Sequence, residues 1–176
     1  MEDIILTGPK HSGKTSAGKA LALLCSCSFI DIDELILQRT GKSPRQLFYE
    51  GAAVFQKAET EAMEAAASAG TDTGQEQRII AAGGGIIDNA DAIAVLKKSG
   101  ATVVYLNISA AAAWRRISAK GELPPFLKTE NPQETHRSLH ERRAAVYLQL
   151  ANIVIEAEGK TSKEIAQEIF KRCKAE

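Results

Sequence analysis

Gly8, Gly13, Lys14 and Thr15 stand at the spacing G-x-x-x-x-G-K-[ST], a pattern suited to gripping a polyphosphate. Glycines let the backbone turn tightly enough to aim successive N–H groups at one point. The loop is followed by a helical pattern, and the first N–H groups of a helix lack partners within it and favour anions. The spacing predicts a phosphate cradle of Gly8, Lys10, His11, Ser12, Gly13, Lys14, Thr15 and Ser16. Lys14 is expected to reach the β- and γ-phosphates, and the Thr15 hydroxyl to ligate Mg²⁺. His11 holds a loop position that glycine would suit better at positive φ. Its imidazole leans either toward the nucleotide or toward solvent.

Asp31 and Asp33 end the second apolar run of the chain. Ligands of an open parallel sheet bind beyond the carboxyl ends of its strands. Two carboxylates two apart on a strand share a face, where they can hold Mg²⁺ through water and accept a hydroxyl. Asp33 equally fits the N-cap of the next helix. Gly83-Gly84-Gly85 follows another apolar run and allows very close backbone approach to a ligand. Arg115, Arg116, Lys120, Lys128, Arg137, Arg142 and Arg143 cluster in the C-terminal half, diluted by Glu122, Glu130, Glu134 and Glu141. Singly each suits a solvated helix face. As a group they suggest contact with phosphate or carboxylate.

The elements that must position these residues alternate. Apolar strand-like runs are read at residues 4–7, 28–32, 78–82, 102–107 and 152–156. Each is apolar on consecutive positions, as in strands buried on both faces. Helical patterns at 16–24, 33–40, 45–49, 52–69, 89–99, 109–119, 131–150 and 162–174 separate them. Gly41 and Gly100 read as helix stops, and Ser43-Pro44 and Asn131-Pro132 as helix starts. The alternation predicts an α/β fold: a parallel sheet covered by helices on both faces. Residues 70–77 read as a polar surface loop. Residues 121–131, with adjacent Pro124 and Pro125, read as a mobile lid joining two helices.

The 176 residues fit one domain, 1–176, with a core that needs no staples. Formal net charge is zero, which predicts no general affinity for nucleic acid or anionic membrane. No apolar run reaches a membrane span, and the acidic start Met1-Glu2-Asp3 reads as no signal peptide. Cys25, Cys27 and Cys173 fit no zinc or redox spacing and read as reduced thiols of a cytoplasmic protein. A monomer acting on a small molecule is expected.

Taken in order, these motifs join others: the run Asp33 to Ser43, Leu47-Phe48-Tyr49-Glu50-Gly51 with Phe55 and Glu59, and Arg142-Arg143-Ala144-Ala145-Val146-Tyr147. Over nearly the whole chain this resembles the shikimate kinase family. The resemblance implies a three-layer αβα phosphate-loop kinase fold with five parallel strands in the order 2-3-1-4-5 and a lid. It implies transfer of the ATP γ-phosphate to the 3-hydroxyl of shikimate. Lys14 and Thr15 then take the phosphate and Mg²⁺ roles, and Asp31 the outer-sphere carboxylate. Asp33 binds and orients the substrate hydroxyls. Gly83, Gly84 and Gly85 face the substrate, Arg143 clamps its carboxylate, and Arg115 or Arg116 flanks adenine. Two positions depart from the family pattern. Gln56 stands where the second carboxylate-clamp arginine is expected, and Pro124 where the lid arginine is expected; Lys120 or Lys128 is the available substitute. A neutral amide at Gln56 predicts weak shikimate binding. A kinase for another hydroxylated compound and a non-catalytic ATP-binding homologue are the competing readings.

Overall fold

A computed structural model describes residues 2–68, 77–119, 121 and 123–174. Residues 70–76 of the expected polar loop, the final residue of the expected 52–69 helix, Lys120 and Glu122 lie outside the described residues. Among these residues five strands form one parallel sheet: β1 (Ile4–Thr7), β2 (Ser28–Asp31), β3 (Arg78–Ala81), β4 (Thr102–Asn107) and β5 (Ile153–Glu156), in the order β2-β3-β1-β4-β5. Among the described residues eight α-helices connect and cover them: α1 (Lys14–Cys25), α2 (Ile32–Thr40), α3 (Pro44–Glu50), α4 (Ala52–Ser68), α5 (Ala90–Lys98), α6 (Ala110–Ser118), α7 (Pro132–Leu150) and α8 (Ser162–Cys173).

Successive strand residues point to opposite faces, so each apolar strand feeds two cores. Ile4, Leu6, Ile79, Val104, Leu106, Ile153 and Ile155 pack with residues of α1, α6 and α8. Ile5, Ile80, Val103 and Tyr105 pack on the other side with residues of α2, α3, α4, α5 and α7. This produces the three layers. The register places Ile5 beside Ile80 and Val103, which makes β1 the central, fully buried strand. β2 differs from the expectation of burial on both faces. Among the described residues it is an edge strand, paired with β3 alone, and its residues are exposed or half-buried.

The chain from β1 to β2 passes to one side of the sheet, and the chain from β3 to β4 passes to the other. Their departure in opposite directions opens a crevice at the carboxyl ends of β1 and β3. The caps read from sequence set the helix starts around it. Ser43 closes a capping box with Gln46 at α3, with Pro44 at the first helical position. Asn131 caps α7, again followed by Pro132. Gly41 stops α2 in the left-handed conformation, φ 70°. No helix among the described residues is long and apolar enough to cross a membrane.

Candidate active site

The loop between β1 and α1 is wound as the spacing predicts. Gly8 and Gly13 take φ of 135° and 101°, and His11 takes 63°. A side chain at Gly8 would put its Cβ 2.7 Å from the Leu106 carbonyl oxygen, so only glycine fits there. α1 begins without a side-chain cap and with no acid in its first turn, leaving its first N–H groups and positive dipole end to an anion. Ser12 is 1% exposed, and its Oγ has no hydrogen-bond partner among the described residues. The Lys14 ammonium curls back onto the carbonyls of Gly8 and Pro9, at 2.8 and 2.9 Å. Burial pulls it down to about 8, against the opposing charges of Asp33 and Asp31. A desolvated cation, a buried orphan hydroxyl and an uncapped helix start all fit a polyphosphate. Arg116 donates to the His11 carbonyl at 2.8 Å, tying α6 to the loop. Arg115 turns outward to Glu158, 3.5 Å away.

The two aspartates do not share a strand face. Asp31 ends β2 and caps α2, accepting from the backbone N–H groups of Asp33 and Glu34. Asp33 therefore lies in the first helical turn, and the N-cap role that its position suggested belongs to Asp31. An Asp cap is worth about 1 kcal/mol. The same Asp31 carboxylate accepts from the Thr15 hydroxyl at 2.7 Å, joining the starts of α1 and α2. Asp33 faces the crevice, where surrounding protein and the Asp31 charge push its carboxyl up, partly offset by Lys14 and Lys10. No cluster of three or more His, Cys, Asp or Glu among the described residues could hold a metal unaided. Thr15 and Asp31 offer one hydroxyl and one carboxylate, a donor set that suits Mg²⁺ when phosphates and water complete its shell.

The three glycines report where the other groups converge. A Cβ on Gly83 would lie 3.3 Å from Asp33 Oδ1 and 2.9 Å from Glu59 Oε1. A Cβ on Gly84 would lie 2.9 Å from the Lys10 backbone nitrogen, and one on Gly85 3.6 Å from Arg143 Nη2. The close approach expected with a ligand is, at Gly83 and Gly84, an approach between parts of the protein itself. The run thus joins aspartate, phosphate loop and arginine in three consecutive residues.

Arg143 lies on α7, one turn before Tyr147, and both grip the Gly84 carbonyl: Nη1 at 3.3 Å, the tyrosine hydroxyl at 2.6 Å. Tyr147 is buried and stacks on Tyr105, ring centres 5.0 Å apart. The Arg143 Nε and Nη2 groups donate to a single oxygen of Asp88, at 2.9 and 2.6 Å. Gln56, from α4, donates to the Asp88 backbone carbonyl at 3.2 Å and accepts from Asn89 at 2.8 Å. Gln56 and Arg143 both contact Asp88, one through its backbone carbonyl and the other through its carboxylate. Glu59 is 1% exposed beneath this group. Burial raises its carboxyl to about 7, helped by the Asp33 charge and opposed by the hydrogen bond from Asn89.

Pro124 caps a short 3-10 turn, Pro125–Leu127, so the position expected for a lid arginine offers no cation. Lys128 extends toward α3, 3.4 Å from the Tyr49 hydroxyl. The lid lies against the site: Leu127 is fully buried, and the Phe126 ring packs 5.6 Å from the Arg143 guanidinium carbon. Sequence reasoning passed over three site residues. Glu59 and Tyr147 stood inside the motifs of the family resemblance with no role of their own. Asp88 had a visible signal, a lone acid closing an apolar pair just after the glycine run.

A parallel sheet ordered 2-3-1-4-5, with a phosphate loop after its central strand and an acid at the next strand end, defines a phosphate-loop kinase. Comparison with known proteins narrows the class. The sequence pattern of the shikimate kinase family matches residues 10–174, and the chain belongs to that family. Shikimate kinase from Sulfurihydrogenibium sp. (strain YO3AOP1) is 34% identical over 99% of both chains. Shikimate kinase from Acinetobacter baumannii, solved in complex with shikimate, superposes with a TM-score of 0.87 at 30% identity, covering 99% of this chain and 94% of that one. The Aquifex aeolicus vf5 enzyme gives 0.81 at 28% identity, covering 98% and 96%.

Proposed function

We propose that this protein transfers the γ-phosphoryl group of ATP to a hydroxyl of shikimate, giving shikimate 3-phosphate. The observation that carries this reading is the convergence on Gly83-Gly84-Gly85 of Asp33, the phosphate loop and Arg143. Phosphoryl transfer needs little covalent chemistry from a protein. It needs donor and acceptor held in line and developing charge neutralised. Lys14 is poised for the second task. A bound polyphosphate replaces the two carbonyls that its ammonium now grips and favours its charged form. Asp33 orients the accepting hydroxyl, and its raised proton affinity suits it to take the proton as the oxygen attacks. Arg143 gives the carboxylate end of the substrate a cationic partner.

Mg²⁺ would be held by Thr15 and, through water, by Asp31, and would supply charge neutralisation at the phosphates. Arg116, bound to the loop through His11, is the better placed of the two arginines to border the nucleotide base. The lid closes over both ligands and excludes water. The protein works as a cytoplasmic monomer on this small molecule. Its zero net charge gives it no electrostatic pull toward nucleic acid or anionic lipid.

Coupled ADP-release with shikimate tests the reading. Wild type turns over. Asp33→Asn retains its fold and ATP affinity, because the α2 cap is Asp31, and loses roughly 10²–10⁴-fold in kcat. Lys14→Ala loses ATP affinity in calorimetry. Near wild-type kcat in Asp33→Asn, or equal ATP affinity in Lys14→Ala, refutes these assignments.

A further inference from the structure

Asp88 places a carboxylate belonging to the protein on the arginine that the substrate carboxylate needs. Three of the Arg143 N–H groups are spent internally: Nε and Nη2 on Asp88 Oδ2, and Nη1 on the Gly84 carbonyl. A guanidinium carries five such donors, so geometry alone leaves room for a second acceptor. Charge leaves less. The Arg143 side chain is 15% exposed and that of Asp88 26%, so water screens the pair weakly. The second Asp88 oxygen meets Arg142 at 2.8 Å. Burial works to raise the Asp88 carboxyl, but Arg142 and Arg143 together hold it below its usual range. It therefore stays ionised throughout the neutral range. The other arm of the site, Gln56, brings no charge, and its amide nitrogen is held by the Asp88 backbone carbonyl.

Resting on the reading above, we propose that Asp88 is a specificity-determining residue that competes with the substrate carboxylate for Arg143. Shikimate engages Arg143 only by displacing or sharing it with this internal counter-ion. The site thus discriminates poorly between a carboxylate and an uncharged group at that end of the substrate. A merely structural Asp88 would have the opposite effect. It would hold Arg143 in place for the substrate, and its loss would weaken binding.

Asp88→Asn separates the two roles. The amide keeps an oxygen acceptor for Arg143 and removes the charge. Competition predicts that shikimate Kd, measured by calorimetry, falls about tenfold, as one uncompensated charge-assisted hydrogen bond allows. KM for shikimate falls with it, and Kd for ATP does not move. Unchanged or weaker shikimate binding in a variant with wild-type thermal unfolding overturns the proposal. A second measurement uses wild type alone, so it stands whether or not the variant folds. Shikimate is compared with the analogue whose carboxylate is replaced by a hydroxymethyl group. A Kd ratio below about tenfold is expected, and a preference for shikimate above a hundredfold overturns the proposal. ADP release in the same samples separates the two readings. No turnover of shikimate by either protein, with binding still tightened by Asp88→Asn, sinks the proposed reaction and leaves the role of Asp88 standing.

Discussion

Gly83, Gly84 and Gly85 look identical in sequence, yet space makes three different demands on them. At Gly84 a Cβ would sit 2.9 Å from backbone at Lys10, and backbone in a wound loop cannot swing aside. Gly84→Ala must push the phosphate loop, at a cost of about 1–3 kcal/mol in strain. Most of that should appear as ATP affinity lowered at least tenfold. At Gly85 the nearest atom is Arg143 Nη2 at 3.6 Å, ordinary contact distance. Gly85→Ala should leave ATP affinity and thermal stability near wild type. Calorimetry on the two variants checks the contrast, and equal losses would mean that the run matters for its flexibility rather than for closeness. The sequence showed that this run was special. Only the packing of α4, the phosphate loop and α7 around it showed which glycine does what.

Helix starts carry much of the site. α1 opens without a side-chain cap, and α2 opens on Asp31, which also takes the Thr15 hydroxyl. The cap signals for α3 and α7 were legible because Ser and Asn before Pro satisfy local rules. The cap of α2 was misplaced by two residues, because Asp31 and Asp33 satisfy the same local rule and the end of β2 decides between them. The lid is an element whose sequence gave composition but no conformation. It packs through Leu127 and Phe126, one buried in the protein and the other against Arg143. Short surface segments that join two helices open locally at low cost. Hydrogen exchange over residues 121–131 should therefore be fast in the ligand-free protein and slow at least tenfold with nucleotide and substrate together. Equal exchange in the two states would rule out closure.

At the scale of the whole molecule, the site lowers the stability of the fold that holds it. Glu59 lies buried under the glycine run, its pKa raised from 4.5 to about 7. Below pH 4.5 both folded and unfolded chains hold its proton. Between 4.5 and about 7 the unfolded chain releases the proton while the folded one keeps it, so stability falls as pH rises. Above about 7 this contribution is level. At about 1.4 kcal/mol per pKa unit, the loss is on the order of 3 kcal/mol. Urea unfolding from pH 4.5 to 7.5 should show this slope in wild type and a flatter one in Glu59→Gln; identical slopes would count against a buried, protonated Glu59. The sequence by itself determined the layered α/β architecture, because apolar strands between amphipathic helices have few ways to bury both strand faces. It also determined the winding of the phosphate loop, because that depends on consecutive residues and local backbone. The tertiary structure alone decided the cluster around Asp88. Gln56, Glu59, Asp88 and Arg143 come from α4, the turn before α5, and α7. Their contacts depend on how three elements pack. No local rule relates position 88 to position 143, so the ion pair between Asp88 and Arg143 is visible only once the chain is folded.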